Sequence, residues 1–323
     1  MFTSCFRGCK KEESKDGIRI IRGGGKYSVY WKAPQVYRKL FSREDYDVVV
    51  DEINTIPFLT PKFVRNGEKI IPLIHQLARE YWFYETPFPM NLLGYYYLEE
   101  KLLKSYMKIP TVTVSNSTRK DLMELGFEEV FVVGEGLNFR PLQKVSEKTI
   151  HPVIVYAGRL KRAKRPDHAI QAFNIIRKTV PEAELWIIGD GPFREELMKN
   201  ACGNVRFFGA LSSQERRDLI KKSWVLVNPS VREGFGLNVV EANALGVPCV
   251  AYDVPGLRDS IQHGETGILV GSGGTNALAE AVARILMNDA LKTRLSEKAL
   301  VYSRSFSWDK VANEFIKVVE TIL

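Results

Sequence analysis

Ten runs of strand length recur along the chain. They lie at Asp47–Val50, Ile70–Ile74, Thr111–Val114, Val130–Val133, Val153–Ala157, Glu184–Ile188, Val205–Phe208, Trp224–Val227, Val247–Tyr252 and Gly267–Val270. Several are apolar without alternation, so both faces of those strands need cover. Helical patterns lie between most of them: over 167–180, Ala169, Phe173, Ile176 and Val180 fall on one stripe at i, i+4, i+7 and i+11. Strands covered on both sides and alternating with helices predict an α/β fold built on parallel sheets.

A length of 323 residues suits two domains rather than one. Asn138–Pro152 breaks the pattern, with two prolines, scattered charges and no period. The expected boundaries are therefore a first domain over 1–148, a second over 149–305, and a terminal segment 306–323 that returns toward the first. In that segment Ser307 is a candidate N-cap, and Val311, Phe315, Val318 and Ile322 form one apolar stripe.

Composition narrows the function classes. With 45% hydrophobic and 26% charged residues, the chain is neither disordered nor collagen-like. Lys and Arg outnumber Asp and Glu 46 to 38, a net charge of +8, and the excess is shared by both halves, 23 to 19 over residues 1–150. No basic arm stands out, which argues against nucleic acid and leaves anionic small molecules or an anionic membrane surface open. No apolar run approaches the roughly 18 residues of a membrane span, and no leader pattern opens the chain. The expectation is a cytoplasmic protein, with peripheral contact at the inner face of the membrane left open. Cys5, Cys9, Cys202 and Cys249 fit no zinc spacing and are expected to be free thiols.

The opening departs from the pattern of a doubly wound domain, which starts with a strand and a glycine-rich turn into a helix. Gly23-Gly24-Gly25 follows the strand-like Ile18–Arg22, but Lys26–Trp31 does not read as a helix start, so a plain turn is expected there.

Three motifs in the second half fall at ends of strands, where open α/β sheets bind ligands. The first is Asn228-Pro229-Ser230-Val231-Arg232-Glu233-Gly234-Phe235-Gly236-Leu237-Asn238-Val239-Val240-Glu241. A strand, a glycine loop and a helix start leave free N–H groups suited to an anionic or hydroxyl-rich ligand. Glu233 and Glu241 can stand up to about 12 Å apart, too far for a retaining glycosidase pair at about 5 Å. Alone, the two glutamates could equally be a cap and a solvated side chain. The second motif is Gly158-Arg159-Leu160-Lys161-Arg162-Ala163-Lys164-Arg165, whose five cations repel one another unless an anion such as a diphosphate compensates. The third is Gly189-Asp190-Gly191-Pro192, which a tight turn would also explain.

In this order, GRL…K, GDG and E-G-F-G-L-N-V-V-E, the chain resembles the family 4 retaining glycosyltransferases. Their GT-B architecture pairs two facing Rossmann-like domains. The likeness covers residues 150–323 and, more loosely, the first half. It implies a hexosyltransferase acting on a nucleotide-diphosphate sugar, with a saccharide or lipid-linked acceptor. It also implies roles: Arg159 and Lys164 on the diphosphate, Glu241 on the ribose hydroxyls, and Glu233 near the donor hexose. Backbone groups of Gly234, Phe235, Gly236 and Leu237 would meet the sugar and phosphates, and Gly189, Phe208 and Leu211 would lie around the nucleotide. His75, which closes the buried strand Ile70–Ile74, is either a structural residue or, by the resemblance, the group facing the donor sugar; a neutral imidazole could relay a proton there. The family's retention of configuration needs no protein nucleophile.

No metal or other cofactor is expected, because fixed cations and helix-start N–H groups can stabilise the leaving phosphate. Two departures stand out. Gly136-Leu137-Asn138 replaces the family's turn ending in aspartate, and the first strand and glycine-rich loop have no counterpart, so the amino-terminal domain is expected to be incomplete. That second departure keeps a non-catalytic nucleotide-sugar binder in view. An epimerase is disfavoured by the E-x7-E context, and a dehydrogenase by the lack of G-x-G-x-x-G after a strand. Residues 81–108 carry nine aromatics with Lys101, Lys104 and Lys108 trailing them, and are expected to meet an acceptor or an anionic membrane unless they are ordinary core.

Overall fold

A computed structural model describes residues 1–323. All ten expected strands form, with ends shifted by a few residues. Four of them, β4 (Val48–Ile53), β5 (Lys69–Ile74), β6 (Thr111–Thr113) and β7 (Val130–Val132), pair in parallel in that order. The other six, β8 (Val153–Ala157), β9 (Glu184–Ile188), β10 (Val205–Gly209), β11 (Val225–Asn228), β12 (Cys249–Tyr252) and β13 (Gly267–Val270), make a second parallel sheet in the order β10-β9-β8-β11-β12-β13. Every residue of β8, β11 and β12 is buried, which is why these strands read as unbroken apolar runs. Helices Pro166–Ile176 and Thr275–Leu286 cover this sheet and share its 41-residue core.

The expected turn at Gly23–Gly25 needs correcting. β1 (Phe2–Thr3), β2 (Glu12–Lys15) and β3 (Ile18–Arg22) form a separate small sheet, and after the glycines a helix does begin, at Ser28–Lys39. Gly24 turns the chain so sharply, at φ +76°, that a Cβ would stand 2.6 Å from the Val29 nitrogen. The helix buries Val29, Ala33 and Tyr37, an i, i+4, i+8 stripe obscured in the sequence by Pro34 and by the absence of a capping side chain.

No helix or strand forms over 138–152. Beyond it, helix Trp308–Ile322 lays Val311, Phe315, Val318 and Ile322 against Ile71 and Val112 of the four-stranded sheet and Val133 just past it. Ser307 is extended at the N-cap position, but its side chain caps nothing. The helix start is held instead by Asn138, whose Oδ1 accepts from Trp308 Nε1 at 2.8 Å, and by Gly136, where a Cβ would stand 2.6 Å from the Trp308 nitrogen. Asn138, in place of the family's aspartate, therefore has a packing role. The four cysteines are free thiols.

Candidate active site

The loop Pro229–Gly236 joins β11 to helix Leu237–Ala244 and crosses to the other sheet. Gly234 makes the crossing close: a Cβ there would stand 2.7 Å from the carbonyl oxygen of His75, just past the end of β5. Gly236, at φ +84°, forms the N-cap of the helix and faces Ser260 Oγ, 2.8 Å from where its Cβ would be. The first turn of the helix thus presents N–H groups toward the cleft between the sheets.

Lys164 and Glu233 meet here, both largely buried, with Nζ donating to Oε2 at 2.5 Å. Glu233 also accepts from Ser230 Oγ at 2.8 Å through its other oxygen. Burial works against the charge on Lys164, but the Glu233 carboxylate outweighs it and holds the ammonium above its ordinary value. Arg159 is exposed and joins no ion pair. The five-cation loop is only partly left for a ligand: Arg162 pairs with Glu196 at 2.5 Å, Lys164 with Glu233, and Arg165 donates to Tyr84 Oη at 2.9 Å. The chain's own groups supply much of the compensation expected from a diphosphate. Glu241 accepts from Arg216 through Oε2 and keeps Oε1 free of protein partners.

The remaining expected positions are spread along the same sheet edge. Gly189, at φ +130°, lies so close to Gly158 that a Cβ would stand 2.0 Å from its carbonyl oxygen, which fixes the GDG turn against the start of the basic loop. Phe208 packs edge-on against Trp186 at 5.5 Å, Leu211 packs on the core, and the Phe235 ring turns away to meet Phe306 at 5.6 Å. Leu237 is exposed at the helix start.

His75 stands between two carboxylates, which favour the protonated over the neutral imidazole. Its Nδ1 is 3.4 Å from Glu135 Oε1 and its Nε2 3.5 Å from Glu52 Oε1. Glu135 first, then Glu52, raise its pKa to about 9 against the desolvation of the ring. The ordinary value is 6.5, so the stabilisation from the imidazolium is fully present below pH 6.5 and is lost as pH rises through 9. We expect the unfolding free energy of the wild type to fall between these limits relative to His75→Asn, measured by urea titration. Parallel pH curves for the two proteins would contradict the assignment.

Glu52 and Glu135 were not singled out from the sequence, nor were Tyr81, Glu85 and Arg232 given roles. Glu52, His75 and Glu135 all lie within three residues of the carboxyl end of a parallel strand, so the rule that selected His75 would have found the other two. Tyr81 and Glu85 belong to the aromatic stretch, whose first turn meets the second half of the chain. Tyr81 Oη donates to the Arg232 carbonyl at 3.2 Å, its ring lies 5.4 Å from Lys164 Nζ, and Glu85 Oε1 accepts from the Ala163 N–H at 3.0 Å.

The family model of glycosyl transferases group 1 matches residues 139–302, half of the chain and all three motifs. The chain belongs to this family. Among relatives, phosphatidyl-myo-inositol mannosyltransferase of Mycobacterium leprae is 27% identical over 223 residues, covering 66% of this chain and 59% of the relative. Glycogen synthase of Mycobacterium tuberculosis is 30% identical over 218 residues, covering 64% and 53%. The matched region thus spans little more than half of these two relatives. Among solved structures, sucrose-phosphate synthase from Thermosynechococcus elongatus superposes with a TM-score of 0.80 at 20% identity, covering 99% of this chain and 88% of that one. HepE of Anabaena, solved with UDP and glucose, gives 0.71 at 15% identity, covering 94% and 87%. At these identities the likeness establishes the fold, and it bears out the two facing Rossmann-like domains expected for a group 1 glycosyl transferase.

Proposed function

We propose that the chain is a retaining hexosyltransferase that takes its sugar from a nucleotide-diphosphate donor and passes it to a saccharide or lipid-linked acceptor. One observation carries this reading: a buried lysine, a carboxylate and the N–H groups of a helix start converge at the carboxyl edge of one sheet, with the His75 imidazole across the cleft. Family membership and the UDP in the Anabaena structure support the choice of donor class.

In this reading the diphosphate lies over the start of helix Leu237–Ala244, within reach of Lys164 and Arg159. Glu241 holds the ribose through Oε1, while Glu233 and His75 orient the hexose. The anomeric C–O bond to the diphosphate breaks as the acceptor oxygen bonds to the same face of the sugar. The departing phosphate oxygen takes the acceptor's proton. Charge grows on that leaving group, where the lysine and the helix N–H groups are already fixed.

A panel of UDP-, GDP- and ADP-sugars, assayed for release of nucleoside diphosphate, tests the proposal. We expect turnover of one donor, undiminished by excess chelator. A requirement for manganese would count against the metal-free mechanism. Binding with neither hydrolysis nor transfer would favour a nucleotide-sugar binder instead.

A further inference from the structure

Beyond its first turn the aromatic stretch divides: Tyr106 is buried and bonded to Asp51 and Thr60, while the rings nearer Met90 face solvent. Past Glu85, a nearly continuous helical run extends from Met90 to Tyr106. Around its start Phe83, Phe88, Met90, Leu93, Tyr96 and Tyr97 project into solvent, with Phe88 77% and Tyr96 70% exposed. So dense an exposed apolar patch marks an interaction surface on a folded protein.

Further along the same run lies a pocket of about 440 Å³. Leu59, Leu98 and Leu102 are its apolar wall residues, and Lys62, Lys101 and Lys104 line it as well. Six other lysines of the chain stand within 4 Å of a carboxylate, but none of these three does. Nearby carboxylates are engaged elsewhere: Glu85 accepts from Ala163, and Glu99 accepts from the N–H groups of Ala78 and Arg79. Glu100 is exposed, one residue around the helix from Lys101. Ridge and pocket form one surface, because Lys101 Nζ donates to Tyr97 Oη at 2.9 Å and sits 4.8 Å from the centre of its ring.

We infer that this surface docks on an anionic phospholipid bilayer, with a headgroup phosphate in the lysine pocket and the aromatic ridge in the interfacial layer. Two chemistries point to lipid rather than to a free anion. The pocket joins cations to leucine walls, and the walls add apolar contact that acyl chains on a phosphodiester can use and inorganic phosphate cannot. Aromatic rings beside lysines are also the side chains best suited to the boundary between headgroups and hydrocarbon. No helix of the chain is long and apolar enough to cross a membrane, so this contact lies on the surface of the bilayer. The inference does not depend on the glycosyl-transfer reading.

Sedimentation with vesicles tests it using the full chain. Wild type should pellet with vesicles of equal parts phosphatidylcholine and phosphatidylglycerol and remain in solution with phosphatidylcholine alone. Reversing Lys62, Lys101 and Lys104 to Glu removes three cations, each worth about fivefold near an anionic surface, so affinity should fall at least on the order of a hundredfold. Phe88→Ser with Tyr96→Ser should weaken binding at least about tenfold while keeping every charge. All five side chains are exposed, and unchanged thermal midpoints would show that both variants fold. Wild type that ignores the anionic vesicles, either variant binding them as wild type does, or release by inorganic phosphate well beyond that caused by sodium chloride of equal ionic strength would overturn the inference.

Discussion

Replacing Lys164 with Ala is expected to lower donor turnover on the order of a hundred- to a thousandfold, the usual effect of losing one fixed group that stabilises developing charge. The ammonium is largely buried, and the Tyr81 ring lies 5.4 Å from it. Lys164→Arg should rescue little, since a planar guanidinium needs more room than this site offers. The substitution also leaves Glu233 without its cation, so part of the loss is expected through the hexose contact. A double substitution of Lys164 and Glu233 that costs much less than the sum of the single ones would show that the pair acts as a unit. Turnover within about threefold of wild type in Lys164→Ala would place the leaving group elsewhere.

Arg232→Ala is expected to have the largest effect on stability, about 3 kcal/mol. Arg232 sits in the loop of the second half but is 5% exposed, because Glu80 and Asp121 of the first half both engage its guanidinium, Glu80 at 2.7 Å. Removing it leaves two carboxylates facing an empty site at the join between the halves. Glu80 keeps contact with water, which sets the estimate near the lower end of the range for broken buried pairs. Urea unfolding should show a lower midpoint, and a shallower transition if the halves no longer unfold together. An unchanged midpoint would remove Arg232 from the contacts that hold the cleft closed. The Tyr81 bond to the Arg232 carbonyl and the Ala163 bond to Glu85 run across the same junction, so the expected loss lies in the coupling of the two sheets rather than in either core.

The second sheet was legible in the sequence because its central strands β8, β11 and β12 are buried on both faces, which leaves a mark that needs no partner to interpret. The helix Ser28–Lys39 was not, because its three buried side chains are interrupted by Pro34 and nothing caps its start. Within the site, the motif around Glu233 showed a ligand loop, but not that Lys164 and Arg232 anchor it from different directions. The first pairing depends on how loops from two strands of one sheet meet and the second on how the two halves meet, and no spacing along one chain encodes either. The basic loop shows the same limit: its repulsion was visible, but Glu196 and Tyr84, which relieve much of it, come from distant elements. His75 was found, and its charge state was not, since that is set by Glu52 and Glu135 from the ends of other strands.

Calorimetric titration of UDP, GDP and ADP into wild type and Glu241→Ala tests the central claim most directly, because it reads the nucleotide site without needing an acceptor. Glu241 already shares one carboxylate oxygen with Arg216, and the free Oε1 is the group assigned to the ribose. The account predicts that one of the three nucleotides binds wild type and that its heat is lost in Glu241→Ala. Absence of binding by all three, or equal affinity in the two proteins, would contradict it.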